Sequence, residues 1–246
     1  ALNFDELEVG FNSGQFHHGV RKDEDLINQC VEVGLLIPYG TNSRTGGQSY
    51  KPFGNKCLVF PLKNKENQIV SLYFQSTIDN KDSRHFYLKN RSGLYPNYPS
   101  REARHLIITE SIIDAASLLQ LRSTNLEVQK FDILACFGTN GLTNEILESI
   151  KQLSQLEEII FCFDTDEAGQ TATLKYAKLL QTIHPKVAFS TVEWIDKDVN
   201  ETLTAYDEVT VLDCLEKRKS IDFSSSTPSF SIEKETPPTP LEQPKM

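Results

Sequence analysis

The sequence predicts an α/β protein in which a parallel sheet flanked by helices follows a smaller, basic α+β unit. Three observations lead to this prediction. Four short apolar runs between 106 and 192 alternate with segments of helical periodicity, the pattern of a doubly wound sheet. Upstream, 57–61 and 69–76 have strand composition and flank a polar turn. The net charge changes from +7 over 38–105 to −10 over 106–223.

The predicted N-terminal unit, residues 1–104, begins with a small helical or mixed cap. Apolar residues over 23–36 recur at near-helical spacing, and Gly34 is a suitable place for that helix to end. The glycine-rich stretch 38–56 predicts a loop. After the two strands of the hairpin, 85–88 predicts a third strand.

The second unit, residues 105–222, alternates strands and helices. We expect helices over 112–121, from about 143, and over 167–182. The intervening apolar runs predict strands over 106–109, 131–137, 158–163 and 186–192. Residues 223–246 are too polar and proline-rich to bury a core, so we expect a disordered tail.

Composition excludes several classes of protein. No apolar run approaches the roughly 18 residues that a membrane span needs, and residues 1–30 lack the apolar region of a secretory signal. The five cysteines are odd in number and widely spaced, which favours reduced thiols over a disulfide framework or a zinc site. We therefore expect a cytoplasmic protein with no membrane partner and no zinc within this chain.

Acidic side chains follow the predicted strands of the second unit. Glu110 and Asp114 come after the first, Asp164 and Asp166 after the third, and the acidic run 196–201 after the fourth. Carboxyl ends of parallel strands open into the crevice where such sheets bind ligands, so these groups should meet. Their mutual repulsion would be relieved by a hard divalent cation, Mg²⁺ or Mn²⁺. The sequence therefore predicts a metal site for phosphate chemistry.

Two alternatives remain open from the residues alone. Asp and Thr are favoured at helix N-caps, so Asp164, Thr165 and Asp166 could serve only to begin a helix. The basic segment 38–105 is the charge that a polynucleotide track would need, but a solvated surface that binds nothing has the same composition.

The acidic motifs resemble a known family. Glu110 to Asp114 and Asp164-Thr165-Asp166-Glu167-Ala168-Gly169 look like the signature motifs of the Toprim domain, which bacterial DnaG-type primases share with topoisomerases and several nucleases. The resemblance covers roughly residues 1–215 and is specifically to primases, above all those of bacterial mobile elements. It includes 136–143 and 197–201 in the second unit and 56–62, 69–72 and 85–90 in the first.

This resemblance implies a Toprim-like fold and roles for individual residues. Glu110, Asp164 and Asp166 would be catalytic, and Glu110, Asp114, Asp164, Asp166 and Asp198 would bind the metal. Contacts to template or nucleotide phosphates would come from Arg44, Lys51, Lys56, Arg84, Lys89 and Arg91. The implied partners are a single-stranded DNA template, ribonucleoside triphosphates and a replicative helicase. The chain departs from the family pattern at Ser111, Glu167 and Val199-Asn200.

Three functions are compatible with these residues. The first is a primase core that joins ribonucleotides on single-stranded DNA by attack of a 3′-hydroxyl on an α-phosphate. The second is a DNA-binding accessory module that keeps the fold without turnover, which the altered third acidic cluster favours. The third is a metal-dependent nuclease.

Overall fold

The structure, a computed structural model, describes residues 7–15, 22–78, 85–122 and 125–223. Within these ranges the strands form a four-stranded sheet, a five-stranded sheet and a two-stranded hairpin. The predicted tail beyond residue 223 and the candidate phosphate contact Arg84 lie outside the described residues. Across the described part of the chain, no helix combines the length and apolar character that crossing a bilayer requires.

The N-terminal unit is built on an antiparallel sheet of strand order β1-β4-β5-β6. The predicted hairpin and third strand are present as β4, β5 and β6. In chain order the elements are β1 (Gly10–Asn12), α1 (Glu24–Glu32), β2 (Leu36–Thr41), β3 (Gln48–Pro52), β4 (Cys57–Lys63), β5 (Ile69–Ser76) and β6 (His85–Tyr87).

The prediction of a loop over 38–56 is wrong for two parts of that stretch, 38–41 and 48–52, which are in strands. Strands β2 and β3 pair there as an antiparallel hairpin, with Ile37 opposite Lys51. The turn that joins them is closed by Asn42, whose backbone N–H donates to the Gly47 carbonyl at 2.8 Å. Gly46 and Gly47 form the tip of the hairpin, whereas Gly40 lies within β2 and Gly54 in the turn before β4, and cross-strand pairing extends the residues on either side of the tip.

The second unit has the predicted alternation of strands and helices. Two short helices and an edge strand at its C-terminal end were not predicted, because they depend on tertiary contacts. The elements are β7 (His105–Thr109), α2 (Ile112–Arg122), β8 (Asp132–Ala135), α3 (Asn144–Lys151), β9 (Glu158–Cys162), α4 (Glu167–Ile183), β10 (Ala188–Thr191), α5 (Val199–Ala205), α6 (Glu208–Glu216) and β11 (Lys219–Ser220), with a 3₁₀ turn at Val128–Lys130.

The strand order of this sheet is β11-β10-β9-β7-β8. The four strands from β7 to β10 are parallel, and β11 is antiparallel at the edge. Helix α2 packs on one face with α5 and α6, whereas α3 and α4 pack on the other. The order therefore reverses between β7 and β9, the switch point at which sheets of this kind open a ligand crevice.

The two units share a hydrophobic core. Leu62 of β4 and Tyr95 of the connecting segment belong to the same buried cluster as Ile107 of β7. The connecting segment is also held by the backbone, since Lys63 and Leu94 exchange hydrogen bonds of 3.0 and 2.9 Å. The division at residue 104 stays a prediction, but the basic unit is packed firmly against the sheet that carries the acids.

Candidate active site

Glu110 and Asp164 meet at the switch point. Glu110 follows β7 and Asp164 follows β9, and these strands are parallel neighbours with Thr109 opposite Cys162. The backbone N–H of Asp164 donates to Oε2 of Glu110 at 3.4 Å. The predicted convergence of the two strand ends is therefore present for this pair of residues.

The Glu110 carboxylate lies in an unfavourable electrostatic environment. Burial raises its pKa, and the charges of Asp164 and Asp166 raise it further, against weaker opposition from the Asp164 N–H and Lys197. The loop after β8 supports the Glu110 backbone, because the Gly138 N–H donates to the Glu110 carbonyl at 2.9 Å. A half-buried carboxylate that is costly to ionise is a candidate for metal binding or for proton transfer.

Asp164 is paired with a lysine that sequence reasoning did not assign. Its Oδ2 lies 2.7 Å from Nζ of Lys197, which is 3.9 Å from Oδ2 of Asp198. The loop after β10 is fixed there by its backbone, since the Thr165 N–H donates to the Lys197 carbonyl at 2.9 Å. The sequence signal for this pairing was that Lys197 is the single basic residue within the acidic run 196–201.

Asp166 and Asp198 are helix N-caps. Oδ1 of Asp166 accepts from the Gly169 N–H at 2.8 Å, and Oδ1 of Asp198 accepts from the Glu201 N–H at 2.7 Å. Of the three residues in the capping alternative, Asp166 is the N-cap, whereas Asp164 and Thr165 are not. Gly169 is required for the approach of α4, because a Cβ there would lie 2.2 Å from the Asp164 carbonyl oxygen.

Asp114 lies behind this edge, in the first turn of α2, and is only 3% exposed. The Ser111 hydroxyl donates to its Oδ2 at 2.6 Å, and the Asn200 N–H donates to its Oδ1 at 3.2 Å. Burial and the charge of Asp198 raise its pKa to about 7, against these two hydrogen bonds. Asp114 therefore joins α2 to the start of α5, a contact that the sequence did not reveal.

The acids at this edge are distributed rather than gathered around one point. Within the described ranges, no three His, Cys, Asp or Glu side chains stand close enough together to hold an ion. Magnesium sites that act on phosphates commonly use only one or two carboxylates, with substrate and water completing the shell. The Glu110 and Asp164 pair, with its mutual repulsion, fits that donor set. The wider predicted ligand set, with Asp114, Asp166 and Asp198, stays a prediction.

Among the residues predicted to bind phosphates, Arg91 is connected to the acidic edge through its contacts with two aromatic rings. Its guanidinium carbon lies 4.5 Å from the ring centre of Phe137 and 5.0 Å from that of Tyr87 in β6. Phe137 immediately precedes Gly138, which is bonded to Glu110. Both units therefore hold Arg91 at their junction.

The other described basic candidates are exposed. Arg44 is at the tip of the β2–β3 hairpin, and Nζ of Lys51 lies 4.9 Å from the ring centre of Tyr39 on the same hairpin. Lys56 precedes β4 and Lys89 follows β6. Their predicted contacts with phosphates stay a prediction.

Comparison with known proteins agrees with this architecture. The model of the Toprim-like family matches residues 107–203. A DNA primase of Halalkalibacterium halodurans is 29% identical over 182 residues, which is 68% of this chain and 27% of the primase. The chain thus spans about a quarter of that relative's length.

Two solved structures have the same fold. A DNA primase domain from Pseudomonas aeruginosa is similar with a TM-score of 0.62 at 18% identity, over 89% of this chain and 69% of that one. The catalytic domain of a DnaG primase bound to single-stranded DNA has a TM-score of 0.61 at 14% identity, over 88% and 69%. The resemblance predicted from the acidic motifs is confirmed: residues 107–203 match the Toprim-like family, and the fold is similar to that of DnaG-type primase catalytic cores.

Proposed function

We propose that this chain is a DNA primase core, a metal-dependent nucleotidyltransferase that joins ribonucleotides on a single-stranded DNA template. The observation that carries the proposal is the Glu110 and Asp164 pair at the switch point, 3.4 Å apart between the Asp164 N–H and Oε2 of Glu110. Phosphoryl transfer depends on positioning and on neutralising charge over the phosphate oxygens, and this crevice offers acids beside a basic unit.

The carboxyl edge supplies the acidic groups of the proposed reaction. Glu110 and Asp164 would hold Mg²⁺ or Mn²⁺, and Asp166 and Asp198 each have a second carboxylate oxygen beyond the one that caps a helix. When bound, the metal would supply Lewis-acid stabilisation of the phosphate charge. Glu110, whose pKa is raised, is the candidate to accept a proton from the attacking hydroxyl. Asp114 would position α5 and its cap.

The basic unit supplies the phosphate contacts. Arg91 packs against the rings of Tyr87 and Phe137 at the junction of the two units, and its planar guanidinium would offer a fork of N–H donors to a phosphate. Arg44, Lys51, Lys56, Lys89 and Arg84 would contribute charge along the template. Support comes from the DnaG catalytic domain of similar fold that binds single-stranded DNA. We extend the proposal to a cytoplasmic role in replication, with a helicase providing the single strand.

A primer-synthesis assay tests the proposal. We expect the wild-type chain, given a single-stranded template, the four ribonucleotides and Mg²⁺ or Mn²⁺, to make short RNA, and Asp164→Ala to make none. Lys217→Ala, at an exposed ion pair on α6, is the control. Absence of product, or product undiminished in Asp164→Ala, would refute a primase. Template degradation would instead identify a nuclease, and single-strand binding indifferent to metal and to Asp164→Ala would identify an accessory module.

A further inference from the structure

The ammonium group of Lys197 lies between two carboxylates of the acidic edge, where it already acts as a cation. We propose that Lys197 is a resident counter-ion that must leave Asp164 before this carboxylate can bind a divalent metal, and that the freed ammonium then contacts a nucleotide phosphate. The inference rests on the proposed function, because it assumes that Asp164 is a metal ligand.

The geometry supports an exchange between two positive partners. Nζ of Lys197 lies 2.7 Å from Oδ2 of Asp164 and 3.9 Å from Oδ2 of Asp198. The two aspartate side chains are 12% and 14% exposed, whereas the lysine side chain is 50% exposed. The lysine therefore covers an oxygen that a metal would need, while half of its own side chain faces solvent.

Hydrogen bonds hold the backbone of Lys197 in place. Its ammonium group can therefore leave Asp164 and still remain near the site. The Lys197 carbonyl accepts from the N–H of Thr165 at 2.9 Å and from its hydroxyl at 3.2 Å. On the other side, Asp198 caps α5 through the Glu201 N–H. A flexible ammonium on a fixed Cα would leave the carboxylate and remain within reach of a substrate bound to the same edge.

The proposal predicts effects of opposite sign on two ligands. Removing the ammonium should tighten metal binding, because the metal no longer competes with an ion pair for Asp164. The same change should weaken nucleotide binding once the metal is present, because a phosphate loses a cationic partner. A lysine that only stabilised the loop would impair both.

The first measurement is Mn²⁺ binding without nucleotide, followed by electron paramagnetic resonance. Trp194, the chain's single tryptophan, lies three residues before Lys197 and gives a fluorescence signal from the same loop. We expect Lys197→Met to bind Mn²⁺ about three- to tenfold more tightly than wild type, the scale of one lost competing ion pair. Lys197→Arg should stay within about twofold. So should Lys217→Met, which removes the 2.6 Å ion pair with Asp213 on α6.

The second measurement is binding of a fluorescent ATP analogue at saturating Mn²⁺. We expect the affinity for the ATP analogue to fall about fivefold in Lys197→Met, because one charge-assisted contact is lost. It should recover in part in Lys197→Arg, because that substitution restores a cationic contact. Circular dichroism melting checks that each variant is folded. Lys197→Gln repeats both measurements if Lys197→Met melts early.

The outcomes separate this inference from the proposed function. If Lys197→Met binds Mn²⁺ no more tightly than wild type, or binds the nucleotide equally well, the inference is overturned while the metal site stands. Asp164→Asn should abolish Mn²⁺ binding in both the wild-type and the Lys197→Met backgrounds. If Asp164→Asn leaves Mn²⁺ binding intact, the metal site of the proposed function is wrong and the inference falls with it.

Discussion

At the two edges of the five-stranded sheet, two half-buried glutamates have pKa values shifted in opposite directions. Glu158 begins β9 at the amino edge, and Arg218 donates to both of its oxygens at 2.8 and 2.9 Å, while the Ser190 hydroxyl donates at 2.7 Å. Burial raises the pKa of Glu158, but these hydrogen bonds lower it by more, so the pKa lies below its ordinary value. Glu110, at the carboxyl edge, has a net raised pKa.

The difference lies in the partners rather than in burial. At the amino edge an arginine satisfies the carboxylate in a fork, which is how proteins stabilise a partly buried charge. At the carboxyl edge Glu110 faces further acids, and the nearby ammonium of Lys197 is paired with Asp164. Negative charges that lack partners attract a cationic ligand most strongly. We therefore expect the functional site at the carboxyl edge, and we expect Glu158 at the amino edge to stabilise the fold.

The largest expected effect is a difference in primer-synthesis activity between variants at the two edges. We predict that Glu110→Gln lowers primer synthesis at least about 100-fold, because the substitution removes a charged group from the proposed site. Glu158→Gln, a matched substitution on the neighbouring strand, should keep activity within about twofold at a temperature where it is folded. Equal losses in both variants, measured by initial rates, would erase the functional distinction between the edges.

The next effect concerns the pH dependence of stability through Asp114. Its folded pKa of about 7 exceeds the ordinary 3.8, so between these values the folded state holds a proton that the unfolded state releases. The free energy of unfolding should therefore fall as pH rises from about 4 to 7, by roughly 1 kcal/mol per pH unit, and level off above. Asp114→Asn should remove this slope and be more stable than wild type at pH 8.

Urea unfolding of both proteins at pH 5, 6, 7 and 8 measures this difference. Asp207→Asn, at the exposed cap of α6, is the control, because the pKa of Asp207 is lowered and its titration lies below this range. Parallel pH curves for wild type and Asp114→Asn would show that Asp114 titrates normally.

A smaller effect compares stability at the two edges directly. Glu158→Gln should lower the free energy of unfolding by about 1–2 kcal/mol, because Arg218 loses a charged partner. Glu110→Gln should not lower it. Because the folded pKa of Glu158 is lowered, its contribution is present above its unfolded pKa and is lost as pH falls through the folded one. The gap between Glu158→Gln and wild type should therefore close in acid, and a gap that persists would contradict the ionic explanation.

The smallest effect tests whether Asp166 does more than cap α4. Asp166→Ser keeps an N-cap acceptor and removes the carboxylate, so stability should change by less than about 0.5 kcal/mol. If its second oxygen takes part in the predicted metal site, Mn²⁺ affinity should fall about fivefold, a loss of about 1 kcal/mol. Asp207→Ser makes the same exchange at the cap of α6 and should leave Mn²⁺ binding unchanged. Unaltered Mn²⁺ affinity in Asp166→Ser would leave capping as its whole role.

The sequence by itself determined the local elements of the sheet and the position of its acids. The apolar runs at 106–108 and 159–163 are too short for helices and predict buried strands, and the acids that follow them mark the strand ends. These patterns depend on neighbours along the chain, so periodicity is enough to find them. Gly34 carried the same kind of local information, because it marked the end of α1.

Tertiary structure alone decided which partner each charge received. Lys197 could pair with Asp164 only because the loop after β10 folds onto the loop after β9, 33 residues apart in the chain. The Asn200 N–H reaches Asp114 across 86 residues, and Arg218 reaches Glu158 across 60. Such contacts have no periodicity along the sequence, because strand order and loop packing set them. The same reason explains why the β2–β3 hairpin and β11 were missed, since a strand exists only where a second segment pairs with it.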